Sequence, residues 1–181
     1  ERRTAAWHRG YEWAGAGPGT RQLHLWGTPS EGLRLKDRLY HSLHRRTMVS
    51  CFRMGEGFHA EFARTIEQVR PEALVSYVNP LYETAAALER ARLSPRWRPR
   101  SIVVGAEKLH GFQRELIERV FGAPVYETYG SREFMLIGAE CGRREGLHLT
   151  AEHLLVEIVG DDGVPTPHGQ VGNVVITDLF N

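Results

Sequence analysis

The chain has 181 residues, of which 41% are hydrophobic and 25% charged, the make-up of one soluble domain with a real core. The net charge of +1 divides unevenly: residues 1–64 carry 11 basic and 6 acidic side chains, the remainder 12 and 16. That asymmetry is too modest, and the arginines too scattered among amphipathic segments, for a nucleic-acid protein. No apolar run approaches the length of a bilayer span, so no membrane partner is expected. Two cysteines, Cys51 and Cys141, make no disulfide framework, and no charged-then-apolar leader opens the chain; the cytoplasm is the expected compartment.

In chain order, Trp7, Tyr11 and Ala14 share one face of an opening helix. "RQLHLWG" (21–27) reads as a strand, "DRLYHSLHRR" (37–46) as a helix and "TMVSCF" (47–52) as a strand. Phe58, Phe62, Ile66 and Val69 mark the apolar face of a helix over 58–69, closed by Pro71. "ALVSYV" (73–78) is a buried strand, after which Asn79-Pro80 opens a helix carrying Leu81, Ala85 and Leu88; "SPRWRPR" (94–100) is its basic exit loop. "SIVV" (101–104) is the next strand, Phe112, Leu116, Ile117 and Val120 mark a helix stopped by Gly122, and "VYETY" (125–129) is a further strand. Short apolar strands alternating with helices to about residue 129 predict a parallel sheet with flanking helices.

From 134 onward only strands and turns are legible: "FMLIGAE", "GLHLT", "LLVEIVG", a turn at 161–163, and "VGNVVI". The expected fold is therefore α/β, a nucleotide-binding layer over 1–133 followed by a mainly antiparallel β region over 134–181, together one partial domain. Both ends read as cut from something longer, since the chain begins inside a helical pattern and stops just after a strand.

In an open parallel sheet, ligands bind beyond the carboxyl ends of the strands. That rule selects two loops, one holding Gly105, Ala106 and Glu107, the other running from Glu127 to Glu133. Small residues there let the backbone approach a flat ring or a phosphate, and a following carboxylate suits magnesium; glycine after a buried strand is also plain turn chemistry. His41, His44, His59 and His110 have no nucleophile motif beside them, which argues against a hydrolase. Trp7, Trp13 and Trp26 either frame an aromatic-acid pocket or belong to the core.

"YETYGSREFMLIGAEC" (126–141), then "GLHLTAEHLLVEIV" (146–159) and "VGNVVITDLFN" (171–181), resembles the phenylacetate-CoA ligase-like branch of the acyl-adenylate-forming enzymes, in particular its capsular-polysaccharide (CapK-type) relatives. "WHRGYEWAGAGPGTR", "LWG", "ALVSYVNPLYETAAALE" and "VVGAEKL" fall in the order that family shows, so the likeness covers most of the chain. It implies part of the large N-terminal domain of a ligase that forms an acyl-AMP from ATP and a carboxylic acid, an aryl acid being one option, with magnesium, and passes the acyl group to coenzyme A. It places Gly105, Ala106 and Glu107 against the adenine, with Ala106 where the family has glycine. Glu127, Thr128, Tyr129, Gly130 and Ser131 line the nucleotide and acyl site, and Glu133 is the magnesium ligand.

Arg132 stands where many members have Thr or Ser; its guanidinium either clamps a phosphate or pairs with Glu133. Cys141 and His148 match positions that bind zinc in some relatives, but two ligands fall short of the usual four, and a buried structural cysteine beside a strand histidine is the other reading. The family's phosphate loop would precede Glu1, and its ribose-binding Asp and catalytic-Lys domain would follow Asn181, so these 181 residues alone are expected to be inactive. A homodimer is left open. The competing expectation is a non-catalytic module, binding nucleotide or acyl-adenylate or serving assembly through its basic N-terminal part.

Overall fold

A computed structural model describes residues 2–27 and 34–180. Helix α1 (Arg2–Trp13) leads into β1 (Gln22–Trp26), α2 (Leu35–Leu43) and β2 (Arg46–Ser50), which ends in a single 3-10 turn at Cys51–Arg53. Then come α3 (Phe58–Val69), β3 (Ala73–Tyr77), α4 (Val78–Arg90), β4 (Ser101–Gly105), α5 (Gly111–Phe121) and β5 (Val125–Ser131). Four strands close the described chain: β6 (Met135–Glu140), β7 (Leu147–Leu149), β8 (Leu154–Val159) and β9 (Asn173–Asp178).

Seven strands form one sheet in the order β2-β1-β3-β4-β5-β6-β7. The first five run parallel, and the sheet continues through β6, antiparallel to β5, and β7, antiparallel to β6. The antiparallel region expected from 134 onward thus has two parts. β6 and β7 extend the main sheet, and only β8 and β9 stand apart as a two-stranded ribbon.

Strand alternation sorts the side chains into two cores. Leu23, Leu25, Leu74, Ile102, Val104 and Val125 point to one face, where they meet Phe58, Phe62 and Ile66 of α3, Leu81, Ala85 and Leu88 of α4, and Leu116, Ile117 and Phe121 of α5. Ala73, Val75 and Val103 point to the other, where Tyr11, Ala14 and Ala16 cover them with help from Trp7, Trp26 and Tyr126. Each fully buried Leu, Ile or Phe contributes about 1.5–3 kcal/mol relative to exposure. Helix ends follow local chemistry: Arg70 and Gly122 take left-handed backbone after α3 and α5, and their N–H groups close the last turn on Ile66 and Glu118.

Two expectations shift. The helix read from Asn79-Pro80 begins at Val78, which is fully buried and belongs to the helix's apolar face, so Pro80 lies in the first turn, where no N–H is required. Phe112 is 60% exposed, its ring stacked on His110 and edge-on to Tyr82, while Gln113 takes the buried place beside it.

Candidate functional site

The strand order makes the chain go from β1 outward to β2 and then return to β3 on β1's other side. Such a reversal leaves a crevice at the carboxyl ends of the two strands, because the following connections leave to opposite faces. Trp26 and Tyr77 mark it, their ring centroids 4.1 Å apart. Gly27 completes the floor: a Cβ there would lie 3.1 Å from both the Phe52 ring and the Tyr77 hydroxyl. Of the three tryptophans, Trp26 alone is at this edge; Trp7 packs on Tyr11 and under Arg46, and Trp13 faces His148.

The loop after β4 comes to the same edge. Gly105 is enforced by its neighbour, since a Cβ would meet Thr128 Oγ1 at 2.6 Å. That hydroxyl is itself engaged, donating to the Val104 carbonyl at 2.8 Å, so Thr128 serves the strand junction. Ala106 takes φ +67°, the left-handed region. Glu107 turns back onto the start of α4: its carboxylate accepts the Asn79 backbone N–H at 2.7 Å and the Asn79 amide at 2.8 Å. Gln113 donates to Asn79 Oδ1 and accepts from His110 N–H, tying the starts of α4 and α5 to this loop. Glu127 holds the same loop from the β5 side, accepting Leu109 N–H at 3.0 Å.

Beyond Glu127 the chain forms a hairpin whose turn, Arg132–Phe134, overhangs the edge. A bulge falls at Tyr129/Gly130, where the register shifts. A Cβ on Gly130 would lie 2.0 Å from the Met135 carbonyl oxygen, so the hairpin closes only over glycine. Ser131 Oγ accepts Phe134 N–H at 3.3 Å. The Ser131 hydroxyl, Glu133's own backbone and then Arg132 hold the Glu133 carboxyl below its usual range. Glu133 is exposed, as are Tyr129 and Arg132.

Tyr77 links the parts electrostatically. Burial raises its phenol above the usual value, Cys51 and Glu107 act in the same sense, and Gly27's backbone and Arg132 oppose them. Geometry joins the same parts: Tyr77 pairs in register with Gly105, and Gly105 lies against Thr128 at the base of the hairpin.

Residues that sequence reasoning passed over hold this arrangement. Arg114 of α5 donates from Nη2 to both oxygens of buried Glu140, at 2.8 and 3.0 Å, and from Nη1 to the Val125 carbonyl. Glu140 also accepts Glu127 N–H at 2.7 Å, so one buried pair clamps the hairpin to the helix layer. Arg3 of α1 donates to the Glu133 carbonyl at 2.8 Å and to Asp178 at 2.5 Å, fixing the turn from outside. A lone Glu in the apolar run "FMLIGAEC" was the signal available for Glu140.

Cys141 and His148 do come together, Sγ to Nε2 at 3.1 Å, but at the end of the hairpin away from its turn, with Cys141 half-buried and His148 exposed. Among the described residues no group of three His, Cys, Asp or Glu side chains is placed to hold a metal. Two ligands do not make the roughly four a structural zinc needs. Magnesium makes a lesser demand: one or two carboxylates plus substrate oxygens suffice, and exposed, readily ionised Glu133 fits that requirement.

No family model matches this sequence. A phenylacetate-coenzyme A ligase of Thermus thermophilus is 30% identical over 119 residues, 63% of this chain and 27% of the relative. A solved 2-hydroxyisobutyryl-CoA ligase, in complex with 2-HIB-AMP and CoA, superposes with a TM-score of 0.73 at 19% identity, covering 98% of this chain and 40% of the ligase. The anthranilate CoA ligase AuaEII, in complex with anthranoyl-AMP, gives 0.69 at 18% identity, covering 98% and 35%. The fold is that of part of an adenylate-forming ligase. The chain spans about two-fifths of the length of these solved ligases and about a quarter of the curated relative.

Proposed function

We propose that this chain belongs to an ATP-dependent ligase that adenylates a carboxylic acid and passes the acyl group to coenzyme A. The observation that carries the reading is the meeting of three strand ends at the carboxyl edge: Tyr77 pairs in register with Gly105, Gly105 is pressed against Thr128, and Glu107 and Glu127 anchor the loop between them. The partial identity to a phenylacetate-coenzyme A ligase supports it, and with Trp26 and Tyr77 at the crevice favours an aryl or similarly flat acid.

The chemistry runs in two displacements. A carboxylate oxygen of the acid forms a bond to the α-phosphorus of ATP as the bond to pyrophosphate breaks. The thiolate sulfur of coenzyme A then forms a bond to the acyl carbon as AMP leaves with its oxygen. The protein's part is positioning and charge. Gly105 and Ala106 let the backbone approach the adenine, and Glu127 and Glu107 hold that loop in place. Tyr129 and Gly130 flank the nucleotide, with Thr128 and Ser131 fixing the strand and turn that carry them. Glu133 would hold the magnesium, which neutralises phosphate charge when bound, and the Arg132 guanidinium supplies a second positive group at the phosphates.

These 181 residues by themselves are not expected to complete the reaction, so the test belongs to the full-length protein. Acid-dependent exchange between ATP and pyrophosphate, lost in Glu133→Gln, is the predicted result. Arg132 beside Glu133 favours a second reading, a module that binds nucleotide without chemistry. ATP binding with no exchange for any acid in a broad panel would select it.

A further inference from the structure

Four arginines converge at the opposite edge of the sheet, where β1 and β2 begin. Arg21 precedes β1, Arg45 precedes β2 and Arg46 opens it, and Arg38 reaches in from α2; with His41 and Ser42 they line an open cleft of about 590 Å³. Among the described residues neither Asp nor Glu lines it. The β1 strand is five residues long, which sets this cleft roughly 17 Å from the crevice at the carboxyl edge.

The guanidinium groups are held but not saturated. Arg21 Nε donates to the Arg70 carbonyl and Arg45 Nη1 to the Gly19 carbonyl, each a single bond from a five-donor fork. Arg46 lies over the Trp7 ring, and its Nε is buried without a hydrogen-bond partner, as is Nδ1 of His41. Arg38 makes no side-chain hydrogen bond or ion pair to a described residue. The neighbouring acid is already committed: Glu72 accepts Arg21 N–H at 3.1 Å and pairs with Arg100 at 3.5 Å. Burial and then Arg46 push His41 below its usual range, with His44 acting in the same sense, and Asp37 on the same helix does not offset them.

Planar guanidinium forks converging on an open, acid-free cleft match the oxygens of a tetrahedral dianion, to which each can donate two parallel hydrogen bonds. We propose that this cleft is a second binding site, for a phosphate group, distinct from the nucleotide crevice. The phosphate comes from a small soluble ligand or from a lipid headgroup. Exposed Leu35, Leu39 and Leu43 on α2, beside the cleft, would lie against acyl chains in the second case.

The test uses the full-length protein in two arms at constant ionic strength: calorimetric titration with inorganic phosphate, and sedimentation with vesicles containing phosphatidic acid. Arg38→Gln/Arg45→Gln is compared with wild type and with Arg90→Gln, an exposed arginine outside the cleft. Saturable binding in either arm, weakened about tenfold by the double variant and unchanged by Arg90→Gln, is the expected result. Binding of inorganic phosphate identifies a soluble ligand, and binding of vesicles alone identifies the headgroup. Should the double variant lose its near-ultraviolet circular dichroism, Arg38→Gln alone, which removes no hydrogen bond or ion pair to a described residue, is expected to weaken binding several-fold. No saturable binding in either arm, or equal binding by wild type and the folded arginine variants, overturns the site.

Discussion

Ala106 shows at a single residue how this site departs from the pattern it resembles. Its φ of +67° lies where a Cβ crowds the following carbonyl, at a cost of about 1–2 kcal/mol. Glu107 beside it is held by two hydrogen bonds to Asn79, and Gly105 is pinned against Thr128, so the loop has little room to relax. Replacing Ala106 by glycine removes the strain while giving the unfolded chain back about 0.4–1 kcal/mol of conformational freedom. Ala106→Gly is therefore predicted to raise the urea midpoint, by a stabilisation of up to about 1.6 kcal/mol. A lower midpoint would mean that the loop does not take the left-handed turn. The alanine itself was visible in the sequence, but its strain was not, because backbone dihedrals at a loop are set by what anchors the two residues flanking it.

At the scale of elements, the parallel layer was legible because each helix writes its own buried face: Phe58, Phe62 and Ile66 for α3, Leu81, Ala85 and Leu88 for α4. Strand partnership is a long-range property, and that is where local pattern failed to inform. Nothing in "FMLIGAE" says that it pairs with β5 and so continues the main sheet, nor that Glu140 will find Arg114, 26 residues earlier. That pair is the clamp between the hairpin bearing Glu127–Glu133 and the helix layer. Removing one member leaves a charge buried and uncompensated, so Arg114→Met is predicted to cost about 3–5 kcal/mol in chemical denaturation. Arg114→Met/Glu140→Gln is predicted to recover part of that loss, because no uncompensated charge remains. A loss under about 1 kcal/mol in the single variant would show that the pair is solvated like an ordinary surface bridge.

For the molecule as a whole, buried His24 ties stability to pH. Burial, then Arg46 and His41, push its pKa down to about 3, against about 6.5 in an unfolded chain. The folded state refuses a proton that the unfolded state accepts. Stability is therefore complete above about pH 6.5 and falls as pH drops from there toward 3, by about 1.4 kcal/mol per unit. His41, also lowered but more open, adds in the same sense. Glu72 and Asp178, held below their usual ranges, act only in more acidic solution. Melting between about pH 7 and 5 is predicted to fall more steeply for wild type than for His24→Gln, and parallel curves would contradict this.

The candidate site was legible in the two loops and the glycine turn, whereas its second layer of Asn79, Gln113, Arg114, Glu140 and Arg3 came only with the fold. The central claim is that the carboxyl edge of the sheet holds an acyl-adenylate. Its most direct test is calorimetric titration of the full-length protein with acyl sulfamoyl adenosines, comparing wild type with Tyr129→Ala. Tyr129 is 45% exposed and packs into neither buried core, so its truncation should leave melting unchanged while weakening binding by about tenfold. Equal affinity in the two proteins, or binding lost instead in Arg38→Gln/Arg45→Gln at the opposite edge, would contradict the account.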